Sequence, residues 1–291
     1  MRIFRVLCPN PGLRELEGTN TWILGERPSI VVDPGPSIAS HLREVAASAG
    51  DLAAILLTHD HPDHAPGATE LAEMTGATVH AARPRDGGER LRDGQAITIG
   101  SVEVRVVATP GHTPDSVSFF VPAASALLTG DTVVGHGTSV IDPPEGDLTA
   151  YLRSLERLRD LSPRAIHPGH GPLVLDGVAK LDEYLEHRRM REEQVLSALA
   201  DGGRTIQDMV PVIYEGYPTE LHELAGRSIL AHLLKLEAEG RAKKRTRDGQ
   251  QRWSLDEPRT CARCGRQVRG RGKLCGPCSL AVLQESAPDQ D

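Results

Sequence analysis

Seven consecutive residues, Thr58-His59-Asp60-His61-Pro62-Asp63-His64, hold three histidines and two aspartates. Imidazole nitrogens and carboxylate oxygens together suit a borderline cation, Zn²⁺ foremost, with Fe or Mn also accommodated. His59 and His61 stand two apart, so an extended backbone would point both the same way. Pro62 favours a turn that swings Asp63 and His64 toward a second position. Three more stretches offer the same chemistry: Thr109-Pro110-Gly111-His112-Thr113, Thr129-Gly130-Asp131-Thr132 and Pro168-Gly169-His170-Gly171. Each sets a ligand-type residue just after an apolar run, beside a glycine that lets the backbone turn tightly around an ion.

The elements that must position these residues read as follows. Thr19 to Gly25 and Ser29 to Asp33 alternate like strands around the turn at Glu26-Arg27-Pro28, and Asp33-Pro34-Gly35-Pro36 is a strong break. Ile38 to Gly50 fits a helix with Ser37 as N-cap. The apolar run Ala53 to Leu57 reads as a buried strand that delivers the histidine cluster, and Ala65 to Thr75 as the helix that follows it. Strands are expected over 78–82, 96–100, 102–108, 117–121, 126–129 and 164–167. Tyr151, Leu152, Leu155, Leu158 and Leu161 share one face of a helix over 148–161 capped by Asp147. Two layers of sheet flanked by helices account for this half. A long helix over 176–199 then leads to helices near 205–214 and 222–239 and to a hairpin over 241–255 turning at Asp248-Gly249. That order is the order of a winged helix.

Composition fits a soluble chain with a mostly aliphatic core: 39% hydrophobic, 25% charged and only 3% aromatic residues over 291 positions. No run approaches the ~18 apolar residues of a membrane helix, and the N-terminus lacks a signal-peptide core, so a cytoplasmic location without membrane attachment is expected. The net charge of −7 is uneven, since Lys235 to Lys273 holds 13 Lys/Arg against 5 Asp/Glu. A basic segment on an acidic body points to an anionic partner near that end.

With His59-x-His61-x-Asp63-His64 followed in order by His112, Asp131 and His170, the sequence resembles the metallo-β-lactamase superfamily. The resemblance implies an αββα sandwich with a binuclear centre, expected to hold two zinc ions, with iron or manganese as alternatives. One ion would take His59, His61 and His112, the other Asp63, His64 and His170, and Asp131 would bridge them. Such a pair lowers the pKa of a shared water toward neutrality and polarises a substrate oxygen. Asp63 and His64 are the candidate catalytic residues, with Asp63 placed to orient the water or carry its proton. Most other histidines read as surface or packing residues; His136 and His167, near motif loops, are candidates for a supporting or substrate role.

Gly18-Thr19-Asn20-Thr21, Gly135-His136-Gly137-Thr138-Ser139-Val140, Tyr184-Leu185-Glu186-His187-Arg188 and Leu233-Leu234-Lys235-Leu236-Glu237-Ala238-Glu239-Gly240 resemble one branch, the lactamase-like endoribonucleases. The likeness runs over roughly residues 10 to 255. It implies a C-terminal winged helix and hydroxide-driven cleavage of single-stranded RNA phosphodiesters. Lys243, Lys244, Arg245 and Arg247 of the hairpin would meet RNA or another anionic substrate through phosphate contacts. The alternative is a glyoxalase II-like thioester or ester hydrolase, in which the winged helix covers substrate or forms a homodimer surface. A nucleic-acid-binding regulator with a secondary hydrolase site is a third reading, disfavoured by the intact ligand set. β-Lactam hydrolysis is disfavoured because no export signal is recognised.

Cys261-x-x-Cys264 and Cys275-x-x-Cys278 read as one structural zinc site of four thiolates, a small knuckle or ribbon. From Arg259 to Lys273 there are six Arg/Lys and no acid, a candidate second nucleic-acid contact. The expected organisation is therefore a catalytic domain over 1–176, a linker helix and winged-helix domain over 177–255, a four-cysteine zinc module over 256–282 and a disordered tail over 283–291.

Overall fold

The computed structural model describes residues 1–84, 87–200, 202–247 and 249–256, with 259–260, 264 and 267–268 beyond them. The chain divides into two compact units, Met1–Arg188 and Arg189–Asp291.

The first unit is built on two sheets. One has six strands in the order β1 (Ile3–Leu7), β2 (Asn20–Gly25), β3 (Ser29–Val32), β4 (Leu52–Leu56), β5 (Thr78–Ala81) and β6 (Glu89–Arg90). The first three run antiparallel to their neighbours, and β3 through β6 are parallel. The second sheet has β7 (Ala96–Ile99), β8 (Val102–Ala108), β9 (Val117–Val121), β10 (Ala126–Gly130) and β11 (Ala165–Pro168) in space in that order. Alternation decides what lies between them. Trp22, Leu24, Ile30, Val32, Ala54 and Leu56 from the first sheet share one buried cluster with Val104, Val106, Phe119, Val121 and Leu128 from the second. The odd-numbered partners Ile23, Val31 and Ile55 point the other way, into a cluster with Leu42 and Val45 of α1 (Ala39–Ala49) and Ala68 and Leu71 of α2 (Gly67–Thr75). Burying a side chain of this size is worth about 1.5–3 kcal/mol, so a slip of one residue in any central strand would exchange both faces at once.

The helix α3 (Leu148–Asp160) starts as its sequence dictates, with the Asp147 side chain accepting from the Ala150 N–H at 2.9 Å. Ser37 does not cap α1, because that helix begins two residues later, with Ile38 at the N-cap and no side-chain cap bond. β4 lies one residue earlier than expected, which leaves Leu57 and Thr58 in the approach to the ligand loop. The turn begins at Pro62, after His59 and His61, and carries Asp63 and His64.

In the second unit, α4 (Gly177–Ala200) continues from the first unit and is followed by α5 (Ile206–Ile213), α6 (His222–Ala238) and a hairpin of β12 (Ala242–Arg247) and β13 (Gln250–Leu255). Its core gathers Val195 and Leu199 of α4 with Met209, Ile229, Leu233, Leu236 and Trp253. A capping box opens α5: Thr205 Oγ1 accepts from Asp208 N at 3.1 Å and Asp208 Oδ2 accepts from Thr205 N at 2.9 Å. Two short strands, β14 (Arg259–Thr260) and β15 (Gln267–Val268), pair antiparallel. Asp248, the Arg247 side chain, Cys261, Cys275 and Cys278 lie outside the described residues, so of the four expected thiolate ligands only Cys264, an exposed residue, is described. No helix among the described residues is long and apolar enough to cross a membrane.

Candidate active site

The seven expected ligands meet at the C-terminal ends of four strands. The loop after β4 brings His59, His61, Asp63 and His64; the ends of β8, β10 and β11 bring His112, Asp131 and His170. They form two groups, His59 with His61, His112 and Asp131, and Asp63 with His64, Asp131 and His170, each with ligand atoms all within 4.8 Å of one another. Asp131 belongs to both.

Hydrogen bonds on the far side of the rings decide which nitrogens face inward. His64 Nδ1 donates to Asp33 Oδ2 at 2.9 Å, His112 Nδ1 to the Val140 carbonyl at 2.8 Å, and His170 Nδ1 to the Gly18 carbonyl at 3.2 Å. Thr58 Oγ1 donates to Asp33 Oδ2 at 2.6 Å and so accepts from His59 Nδ1 at 3.0 Å. Each of these rings thus carries its proton outward and turns a bare Nε2 lone pair to the centre. His61 is reversed, with Nδ1 facing His112 and Nε2 3.5 Å from Glu145.

A cation fits this arrangement. His64 Nε2 and His170 Nε2 stand 3.1 Å apart, and His112 Nε2 and His61 Nδ1 3.2 Å apart, too close for two imidazole nitrogens unless a proton or a metal ion lies between them. His170 Nε2 also lies 3.1 Å from Asp63 Oδ2 and 3.3 Å from Asp131 Oδ1. His59 Nε2 and Asp131 Oδ1 are buried with no hydrogen-bond partner, which is costly unless something positive is held between them. In the bare protein the strain appears in the proton affinities. Burial and then the charge of His64 depress His59 far below 6.5. Burial also opposes charge on His64, but the Asp131 and Asp33 carboxylates override it and raise its pKa well above 6.5. Asp131 is lowered far below the usual range, because His64 and His170 outweigh its own burial.

Three of the four stretches that carried the branch resemblance brace this cluster. Asn20 Nδ2 donates to the carbonyls of Pro168 and Gly171 at 3.0 and 2.8 Å, and Thr19 Oγ1 donates to the Asp63 carbonyl at 2.9 Å. The loop after Asp131 is tied by Gly135 N to the His170 carbonyl at 2.8 Å and by Ser139 Oγ to the Thr132 carbonyl at 3.1 Å. Tyr184 Oη bonds both N and O of Val134, and the buried Arg188 donates to the Ser139 carbonyl. Two glycines are required by close approach. At Gly111, with φ of 140°, a Cβ would strike the Tyr151 backbone, and at Gly169 it would lie 2.7 Å from the His64 ring.

Sequence reading did not find Asp33, Glu145 or the Val140 and Gly18 carbonyls as supporting groups. Asp33 reads as a strand end before Pro34-Gly35-Pro36; the available signal was a carboxylate at a sharp break, here held at φ 51°. Of the two expected catalytic residues, His64 has no exposed side-chain surface, whereas Asp63 retains 19%. His136 is exposed and His167 is buried edge-on against Trp22, their ring centroids 4.6 Å apart.

A fold with four strand-end loops converging on such a cluster defines a family by itself, and comparison with known proteins agrees. Residues 14–86 and 77–170 match the family described as metallo-beta-lactamase superfamily, and residues 205–253 match the beta-lactamase associated winged helix domain. The lactamase-like protein vrtG of Penicillium aethiopicum is 35% identical over 82% of this chain and 82% of its own length. An atrochrysone carboxyl ACP thioesterase of Aspergillus chevalieri is 33% identical over 87% of each chain. A beta-lactamase domain protein from Burkholderia ambifaria shares the fold, with a TM-score of 0.76 at 22% identity over 87% of this chain and 91% of that one. The chain belongs to the metallo-β-lactamase superfamily, and it is a metal-dependent hydrolase of that family with a C-terminal winged helix.

Proposed function

We propose that this hydrolase cleaves an acyl thioester, of the kind carried by an acyl carrier protein, into a carboxylic acid and a thiol. The observation that carries this reading is the similarity, along 87% of the chain, to a relative named as a carrier-protein thioesterase. It replaces the expectation of RNA cleavage with its alternative. The hairpin supports the change. Lys243 Nζ lies 3.0 Å from Asp256, Lys244 Nζ sits 5.5 Å over the Trp253 ring and Arg252 is 3.9 Å from Asp208, so part of its charge is engaged within the unit. RNA remains the second reading because Arg245 is exposed on the same strand.

His59, His61, His112 and Asp131 would hold one ion and Asp63, His64, Asp131 and His170 the other, zinc by the nature of the donors. Bound there, the ions supply Lewis acidity and an acidified water. Asp63 is the carboxylate of the set with a function besides binding. Partly exposed and held at Oδ2 by His170, it keeps its proton affinity low: burial works against this, and the His170 hydrogen bond overcomes it. It accepts the proton of the attacking water and returns it to the sulfur as the C–S bond breaks and the C–O bond forms. Asp131 has no such freedom, since its Oδ1 is buried between the two ligand groups, 3.4 Å from His64 Nε2 and 3.3 Å from His170 Nε2.

The test is a panel of N-acetylcysteamine thioesters, a single-stranded RNA oligomer and a phosphodiester, read by thiol release, gel and chromophore. Thioester hydrolysis is expected, and His59→Ala with His61→Ala should lower it by at least about 100-fold together with bound metal. Cleavage of RNA with intact thioesters would return the first reading.

A further inference from the structure

A cavity of about 400 Å³ lies between α2 and β5, and His59 and Asp60 of the ligand loop are part of its lining. One wall is a single helical face. Ala65, Ala68 and Ala72 follow at spacings of three and four, so they stack along one side of α2 and its entry turn. Ala77 and Ala81, flanking and ending β5, lie across from them. A methyl group at each of these places leaves room that a leucine or phenylalanine would fill. The space is not a packing fault in the core, since Leu71 on the adjacent face of α2 is fully buried. His59 is 3% exposed, and its Nε2 has no hydrogen-bond partner. His59 thus belongs both to the lining of this cavity and to the candidate metal centre.

Its charge narrows what enters. Among the described residues, Asp60, Glu73 and Asp115 line it against one guanidinium, that of Arg83. Three carboxylates to one cation disfavour a phosphate, whether of a nucleic acid or of a phosphopantetheine arm. A neutral apolar group meets no such penalty and gains about 0.8 kcal/mol for each methylene removed from water.

We infer that this cavity receives the apolar acyl group of the substrate and that Ala72 limits the length it admits. The inference rests on the thioester reading above. The acyl carbon would then sit at the mouth beside His59 and Asp60, with the carrier and its phosphate outside.

Hydrolysis of acetyl, hexanoyl and decanoyl N-acetylcysteamine thioesters by the metal-loaded full chain tests it, alongside calorimetric titration with decanoate. kcat/KM should rise about fourfold per methylene until the space is full. Ala72→Phe should cut the decanoyl-to-acetyl ratio by at least about tenfold and weaken decanoate binding, with Ala72→Leu between it and the wild type. Thioesters cleaved at a rate independent of chain length, or Ala72→Phe leaving both ratio and decanoate affinity unchanged, overturns the acyl cavity and spares the thioesterase reading. Failure to cleave any thioester overturns the thioesterase reading, and the decanoate titration of wild type and Ala72→Phe then decides the cavity by itself.

Discussion

An imidazole can present either nitrogen to a cation, and here an oxygen acceptor behind the ring makes the choice for His59, His64, His112 and His170. Asp33 fixes two of them, directly at His64 and through Thr58 at His59. Replacing Asp33 with Asn keeps its shape and removes its charge. Asp33→Asn should weaken metal affinity by about 10–100-fold in competition with a chromophoric chelator; an unchanged affinity would dismiss the positioning role. His167 offers a separate reading of pH. Burial alone lowers its pKa to about 4, and its Nδ1 has no hydrogen-bond partner. Above pH 6.5 the ring is neutral folded or unfolded and costs nothing. As pH falls from about 6.5 toward 4 the unfolded chain takes the proton first, so stability declines, by on the order of 3 kcal/mol in all. Urea unfolding should show this decline in the wild type, less the part that His167→Phe retains; parallel curves for the two would refute it.

At the scale of elements, periodicity carried most of the weight. β8 and β9 match the sequence reading residue for residue, because valines and phenylalanines alternate there between sharp turns. Helix ends were legible where a side chain does the capping, as at Asp147, and not at α1, where none does. The ligand residues were visible because histidine and aspartate are rare at strand ends in such density. Their support was not. Asp33 and His64 are 31 residues apart, and nothing local in either segment says that β3 will lie beside β4. The small-residue face of α2 was equally hidden, since alanines at helical spacing read as ordinary core. In the second unit, the capping box of α5 was unseen beyond its threonine. Thr205→Ala should cost that unit about 1 kcal/mol, measured by hydrogen exchange of the α5 amides; unchanged exchange would show the box to be ornamental.

For the whole molecule, the sequence was enough for the superfamily and the winged helix, but it put RNA cleavage ahead of the thioester hydrolysis proposed above. Basic residues in a hairpin suggested RNA, yet a count of charges does not say which of them are engaged by neighbours such as Asp256. Metal analysis addresses the complete chain. Two ions per chain are expected from the histidine and aspartate groups, and a third, lost in Cys261→Ser with Cys264→Ser, from the four cysteines. A count unaffected by those substitutions would remove the cysteine site. The shared Asp131 has a consequence for synthesis as well. Proteins emerge N-terminus first and begin folding as they do. Once Asp131 has left the ribosome, every member of the first ligand group exists, but the second still lacks His170, and β10 still lacks its parallel partner β11. The two halves of the centre therefore become available in a fixed order, and a nascent chain halted between these residues would hold a complete set of ligands for one ion only.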